Sequence, residues 1–244
     1  MRSRRMVAED RNELADLSSI SYLGPMSTNN IIPPTPDDNE YGHEPDRPLI
    51  RPEADPFELF KHWLADANGQ EVNDANAMSL ATVAEGGMPD VRIVLLKDVG
   101  PAGFSFYTHQ TSAKGQQLIS SGKAALCFHW KSLRRQVRVR GMVSRVPEGE
   151  ADEYFASRAR DSQLGAWASD QSQPLSDRAA LLSALKATTE RFDGQPSVAR
   201  PPHWGGFIVE PEEIEFWQDQ PYRLHDRVLY RKIQTGWDWS RLNP

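Results

Sequence analysis

Six stretches of the chain carry side chains able to do chemistry. Arg92-Ile-Val-Leu-Leu-Lys97 sets four apolar residues between two cations. The five-residue offset turns Arg92 and Lys97 to opposite faces of a regular strand, allowing one anion contact on each side of a barrel wall. A buried strand with solvated ends gives the same pattern. Tyr107-Thr108, followed by Ser112-Ala-Lys114-Gly115, reads as a strand running into a helix start. Free N–H groups, a hydroxyl and a lysine there can hold an anion, and the same residues also make an ordinary cap. Arg134, Arg135, Arg138 and Arg140 alternate with Val137 and Val139 beside Gln136, the pattern of a strand with one wet face. Arg158-Ala-Arg160-Asp161-Ser162-Gln163 and Trp167-Ala-Ser-Asp-Gln171-Ser172 gather polar groups around few apolar ones, as a solvated helix pair also would. Trp217-Gln218 leads to Arg223-Leu-His225-Asp226-Arg227. If that last stretch is a strand, Arg223, His225 and Arg227 share a face. They then repel one another unless an anion or an acceptor-rich ligand lies there. Together these residues favour one or two phosphorylated ligands, with amides and tryptophans available to hold and wall a planar ring.

The motifs of other chemistries are missing. The sequence has no GxGxxG, GxxxxGK[ST], HExxH or GxSxG, and none of its six histidines pair at metal-ligand spacing. A metal site is not expected.

The elements that must position these residues follow from periodicity. Asp55 is a good N-cap and Pro56 suits the first helical position; Phe60, Trp63, Leu64 and Ala67 recur at helical spacing up to Gly69, which is expected to stop the helix. Residues 77–84, 91–97, 104–108, 123–130 and 135–146 are short β-rich runs separated by turn residues. A short helix capped by Ser112 interrupts them at 112–121. Helices are expected at 148–158 and at 176–192, the latter capped by Ser176, with strands at 204–210, 213–218 and 223–232. The pattern predicts an α+β fold: a closed or nearly closed antiparallel barrel with peripheral helices.

Composition narrows the function classes. Lys and Arg total 28 against 34 Asp and Glu, a formal charge of −6, where a nucleic-acid binder is expected to be basic. No apolar run approaches the roughly 20 residues of a membrane-spanning helix. A single cysteine, Cys127, excludes an internal disulfide framework. The expectation is a cytoplasmic protein that binds neither nucleic acid nor membrane. Residues 1–54 are rich in proline and poor in apolar side chains, so most of them read as an extended or disordered arm, with Ser18 to Leu23 the one piece that could dock. Arg2, Arg4 and Arg5 are followed at once by acidic residues, unlike a targeting peptide. Residues 55–244 form the expected folded domain.

RIVLLK, FYT with SAKG, RQVRVRG, SRARDSQLGAWAS, QSQPLSDR, WGGF, EFWQ, RLHDR and the terminal RLNP occur in the order and spacing of a known family. From about residue 55 onward the chain resembles the pyridoxamine 5′-phosphate oxidases. The resemblance implies an FMN-binding split β-barrel of Greek-key type, working as a homodimer with flavin sites at the interface. It implies oxidation of pyridoxamine or pyridoxine 5′-phosphate by O2 to pyridoxal 5′-phosphate and H2O2. Carried over by motif, FMN contacts fall on Arg92, Ile93, Val94, Leu95, Leu96, Lys97, Tyr107, Thr108, Lys114, Gln136, Gln171, Ser172, Trp217 and Arg227. Substrate contacts fall on Lys97, Tyr154, Arg158, Ser162, Arg223 and His225, the last two also being the catalytic pair. Two departures stand out. Ala113 replaces a basic residue common before the lysine of SxK, and Ala159 replaces the proline of RPRDSQ. Of the basic pair and tyrosine that many members carry near the N-terminus, only Tyr22 has a counterpart. The alternatives are a split-barrel oxidase of another substrate, such as a phenazine precursor, and a non-enzymatic flavin or pyridoxal phosphate binder.

Overall fold

The computed structural model describes residues 47–244; the expectations for the preceding arm, including Ser18 to Leu23 and Tyr22, lie outside the described residues. Asp55 caps helix α1 (Pro56–Gln70) by accepting a 2.9 Å hydrogen bond from the Phe57 N–H. The helix runs through Gly69 and ends where Glu71 turns extended, because Gly69 does not take the left-handed conformation that makes glycine a stop. Its apolar face, Phe57, Leu59, Phe60, Trp63 and Ala67, is buried.

That face plugs a curled sheet. The strands are β1 (Ala77–Val83), β2 (Pro89–Leu95), β3 (Asp98–Gly100), β4 (Gly103–His109), β5 (Lys123–Trp130), β6 (Arg135–Arg145), β7 (Trp204–Gln218), β8 (Asp226–Ile233) and β9 (Gly236–Arg241). Every pairing is antiparallel, in the order β2-β1-β5-β6-β7-β4-β3, with β8 and β9 continuing from β7. The two ends of that path, β2 and β3, are consecutive in sequence with only Leu96 and Lys97 between them. A flat sheet cannot bridge its own edges with two residues, so the sheet closes on itself as a split barrel. Phe60 fills the interior with edge-on contacts to Phe104 at 4.9 Å and Phe128 at 5.0 Å, and Trp63 meets Phe216 at 5.2 Å.

Helices α2 (Ala113–Ser121), α3 (Glu148–Ser157), α4 (Arg160–Ala168) and α5 (Arg178–Arg191) lie outside the barrel strands in sequence. Ser112 caps α2 as expected, whereas α5 is capped by Asp177 rather than Ser176, its carboxylate accepting from Ala180 N–H at 2.8 Å. Among the described residues, no helix is long and apolar enough to cross a membrane.

Two further expectations change. The runs 204–210 and 213–218 form one strand, β7, which passes Pro211 at a bulge opposite Arg140 and Gly141. A proline in a central strand is tolerated at such a bulge, since no ladder donor is lost there. Strand β8 begins at Asp226, not at 223: Pro221–Arg223 is a 3₁₀ turn in which Tyr222 and Arg223 have φ of 56° and 61°. Residues 47–54, the described end of the expected arm, have no helix or strand and are tied to β8 and β9. Ile50 N–H donates to Asp226 at 2.7 Å, Arg241 donates to the Ile50 carbonyl at 2.9 Å, and Tyr230 Oη both accepts from and donates to the Glu53 backbone.

Candidate functional site

A cleft of about 440 Å³ opens where β2, β4, the start of β7 and helices α2, α3 and α4 meet. Its aromatic wall is a stack. Tyr107 of β4 lies 4.1 Å from Tyr154 of α3 and 5.3 Å from Trp204 of β7, ring centroid to ring centroid, with nearly parallel planes. The two glycines after Trp204 make room for it. A Cβ on Gly206 would come within 2.8 Å of the Tyr107 ring, and one on Gly205 would meet the Gln110 amide.

Cations line the same cleft. Lys114 Nζ donates to Gln171 Oε1 at 2.8 Å and lies 3.4 Å from Thr108 Oγ1, which itself donates to Gln171 at 2.9 Å. Burial pushes the Lys114 pKa down, and Arg92 adds to the shift against Asp90. The Arg158 guanidinium sits 5.0 Å over Trp204 and 5.6 Å over Phe155. Burial lowers its pKa, and its Nη1 is buried with no hydrogen-bond partner. Lys97 stands exposed at the mouth, and Ser162 lies in the first turn of α4. Among the described residues, none of Lys97, Lys114 or Arg158 has a carboxylate within ion-pair distance. A half-buried guanidinium without a counter-ion is costly to leave dry and is a strong hydrogen-bond donor to an oxyanion.

The cleft therefore unites Ile93, Val94, Leu95, Lys97, Tyr107, Thr108, Lys114, Gln171, Tyr154, Arg158 and Ser162. Three expected residues near them in sequence do not line the cleft. Arg92 is instead paired with Asp90 and donates to Thr82 and to Gln117. Leu96 buries its side chain in the barrel core. Ser172 is exposed with a φ of 71°.

The remaining residues form a second group. Gln136, Trp217 and Arg227 are directly paired across β6, β7 and β8 and so form one row, with the His225 ring 4.6 Å from Trp217. His225 Nδ1 lies 3.1 Å from Asp219 Oδ1 and 3.3 Å from Gln220 N. Burial lowers the His225 pKa, Asp219 opposes this, and Arg223 and Arg227 add to the lowering. Arg223, His225 and Arg227 do not share one strand face, because the first two precede β8, yet both arginines still act on His225. Arg227 donates to buried Glu215 at 2.9 Å and to the Asn243 carbonyl at 2.8 Å. Burial alone would raise the Glu215 carboxyl, but Arg227 and Arg138 hold it below the usual range. The arginines of β6 are likewise paired, Arg135 with Asp66 at 2.7 Å and Arg140 with Glu213 at 2.6 Å, in keeping with a structural wet face.

Trp204 was not singled out by its chemistry, although the WGGF block contains it. Nor was the pair behind the cleft, His109 and His203, with rings 4.8 Å apart and a buried, unpartnered nitrogen on each. Burial first, then His203, lowers the His109 pKa from 6.5 to about 4. The unfolded chain takes up this proton as pH falls below 6.5, while the folded chain refuses it until near 4. Stability is thus lost on acidification through that window, by about 3 kcal/mol if the whole shift is realised. His109→Asn should flatten the slope of unfolding free energy between pH 6.5 and 4; an unchanged slope would assign the window elsewhere.

Fold and cleft together define an antiparallel split-barrel protein with a cationic, aromatic-walled cleft. A family model described as pyridoxamine 5′-phosphate oxidase matches residues 64–194, and one described as the pyridoxine 5′-phosphate oxidase C-terminal dimerisation region matches residues 204–244. Pyridoxine/pyridoxamine 5′-phosphate oxidases of Hyphomonas neptunium and Maricaulis maris are each 54% identical to the chain, over 89% and 90% of it and the whole of each relative. Among solved structures, PhzG from Burkholderia lata, in complex with tetrahydrophenazine-1-carboxylic acid, superposes with a TM-score of 0.74 at 31% identity, covering 79% of this chain and 94% of that one. A pyridoxamine 5′-phosphate oxidase-related, FMN binding protein from Nostoc punctiforme shares the fold, with a TM-score of 0.61 at 18% identity, covering 77% of this chain and 96% of that one. The chain belongs to the pyridoxamine 5′-phosphate oxidase family.

Proposed function

We propose that the protein is a cytoplasmic, FMN-dependent oxidase of pyridoxamine 5′-phosphate and pyridoxine 5′-phosphate. The amine reacts with O2 and water to give pyridoxal 5′-phosphate, ammonia and H2O2; the alcohol reacts with O2 to give pyridoxal 5′-phosphate and H2O2. The observation that carries this is the set of unneutralised cations in one cleft, with the unpartnered Arg158 Nη1 among them. Relatives at 54% identity that bear this oxidase name supply the reaction.

Two anionic ligands divide the cleft. Arg158, Lys97, Tyr154 and Ser162 take the substrate phosphate. Lys114 and Thr108 take the flavin phosphate; because Arg92 is committed to Asp90, Lys114 is the main cation there. Tyr107 and the β2 backbone from Ile93 to Leu95 wall the flavin, and Gln171 and Gln136 serve its polar edge. The donor set fits FMN: a half-buried lysine with hydroxyl and amide neighbours and no carboxylate. Held there, FMN would supply the two-electron redox chemistry that links substrate oxidation at C4′ to O2.

The second group completes the site from a second copy of the chain. Gln136, Trp217, Arg223, His225 and Arg227 do not line their own cleft, and the last four fall within the segment matched by the dimerisation-region model. Strand β2 exposes Val91 (64%) and Ile93 (65%), which a partner would cover. Arg223 and His225 would then lie over the substrate ring and orient C4′, a contribution worth several kcal/mol. With FMN present, each turnover should yield one pyridoxal 5′-phosphate and one H2O2 per O2 consumed. Pure protein that consumes no O2 with either phosphate ester would overturn the proposal. The PhzG likeness favours one other reading, oxidation of a reduced phenazine precursor; turnover of such a precursor in place of both B6 phosphates would select it.

A further inference from the structure

We infer that Arg200 is a positioning residue for the substrate-phosphate subsite, acting through α3 and Trp204. The inference rests on the reading that Arg158 and Tyr154 bind that phosphate. Arg200 precedes β7, and its side chain is only 10% exposed. One guanidinium holds three acceptors. Nε donates to Asp152 at 2.6 Å, Nη2 pairs with Glu148, and Nη1 donates to the Trp204 carbonyl. Glu148 and Asp152 lie one turn apart on α3, so both engage the same fork.

The clamp joins the two elements that shape the subsite. Helix α3 carries Tyr154 and leads directly into Arg158; Trp204 is the ring over which Arg158 lies and the third ring of the Tyr107–Tyr154 stack. Of the four residues of the clamp only Trp204 lines the cleft; Arg200, Glu148 and Asp152 do not. With the fork removed, α3 and β7 keep the ring contacts of Tyr154 and Phe155 with Trp204 but lose the hydrogen-bonded clamp that fixes them, so the Arg158 guanidinium is held less firmly relative to Tyr154.

The test uses the FMN-loaded enzyme. Arg200→Gln should raise KM for pyridoxamine 5′-phosphate and Kd for pyridoxal 5′-phosphate by roughly tenfold, with kcat within about twofold and flavin retained, the signature of lost uniform binding. Arg200→Lys, with charge but no fork, should fall between Gln and the parent. If Arg200→Gln does not fold, Glu148→Gln combined with Asp152→Asn breaks the same clamp from its exposed side. This pair discriminates by sign. Removing two negative charges near an anion site would lower KM by electrostatics alone, whereas a lost clamp raises it. A KM that falls or stays put in the carboxylate pair, or a change confined to thermal stability, overturns the inference. Arg158→Ala separates the two levels. If it raises KM and the Arg200 variants do not, the positioning role fails; if it too leaves KM unchanged, the phosphate assignment fails first.

Discussion

Arg158→Ala should raise KM for pyridoxamine 5′-phosphate by about a hundredfold, the worth of one partly buried charge-assisted contact to phosphate. The parent side chain is held over Trp204 and Phe155 with Nη1 lacking a hydrogen-bond partner among the described residues, so the site is organised before the ligand arrives. Steady-state kinetics would show the loss in KM with flavin content unchanged. Arg158→Lys should recover only part of it, since an ammonium cannot present the planar fork. Unphosphorylated pyridoxamine should be a poor substrate for parent and variant alike. An unchanged KM for the phosphate ester, or an equal loss for both esters and free vitamers, would place the phosphate elsewhere.

The second large effect is on turnover. Arg223→Ala and His225→Ala should each cut kcat about a hundredfold while leaving FMN bound, because orientation of the reacting carbon is worth several kcal/mol. The backbone supports this division. Tyr222 and Arg223 both adopt left-handed φ values that cost non-glycine residues energy, and they do so side by side in a turn that presents an exposed Arg223. His225 is braced against Trp217 and Asp219. Lys114→Ala should do the opposite, weakening flavin retention. Absorbance of the purified variants decides: a colourless Arg223 or His225 variant would move that residue from the substrate to the flavin.

Much of the barrel was legible because its strands alternate cleanly. Lys123–Trp130 matches its expected bounds, and Asp55, Pro56 and Ser112 act as the local rules of capping require. The cleft was legible where chemistry and local structure coincide, as in Tyr107, Thr108 and Lys114. What escaped depended on distant partners. Nothing near Arg227 in the chain shows that Glu215 neutralises it, since that contact follows from the β7–β8 register. Strand β9 is almost wholly exposed and lacks the apolar alternation that marks a strand, so only pairing with β8 reveals it. Left-handed Tyr222 and Arg223 ended a strand that composition alone would have extended. Trp204 reads as a core tryptophan until Arg158 is found over its ring.

The most direct test is anaerobic. Protein loaded with FMN is mixed with pyridoxamine 5′-phosphate without oxygen, and the oxidised flavin absorbance is followed. The account predicts bleaching, then recovery of the yellow colour on admission of air together with pyridoxal 5′-phosphate and H2O2. Bound flavin that stays yellow with both pyridoxamine and pyridoxine 5′-phosphates would contradict it.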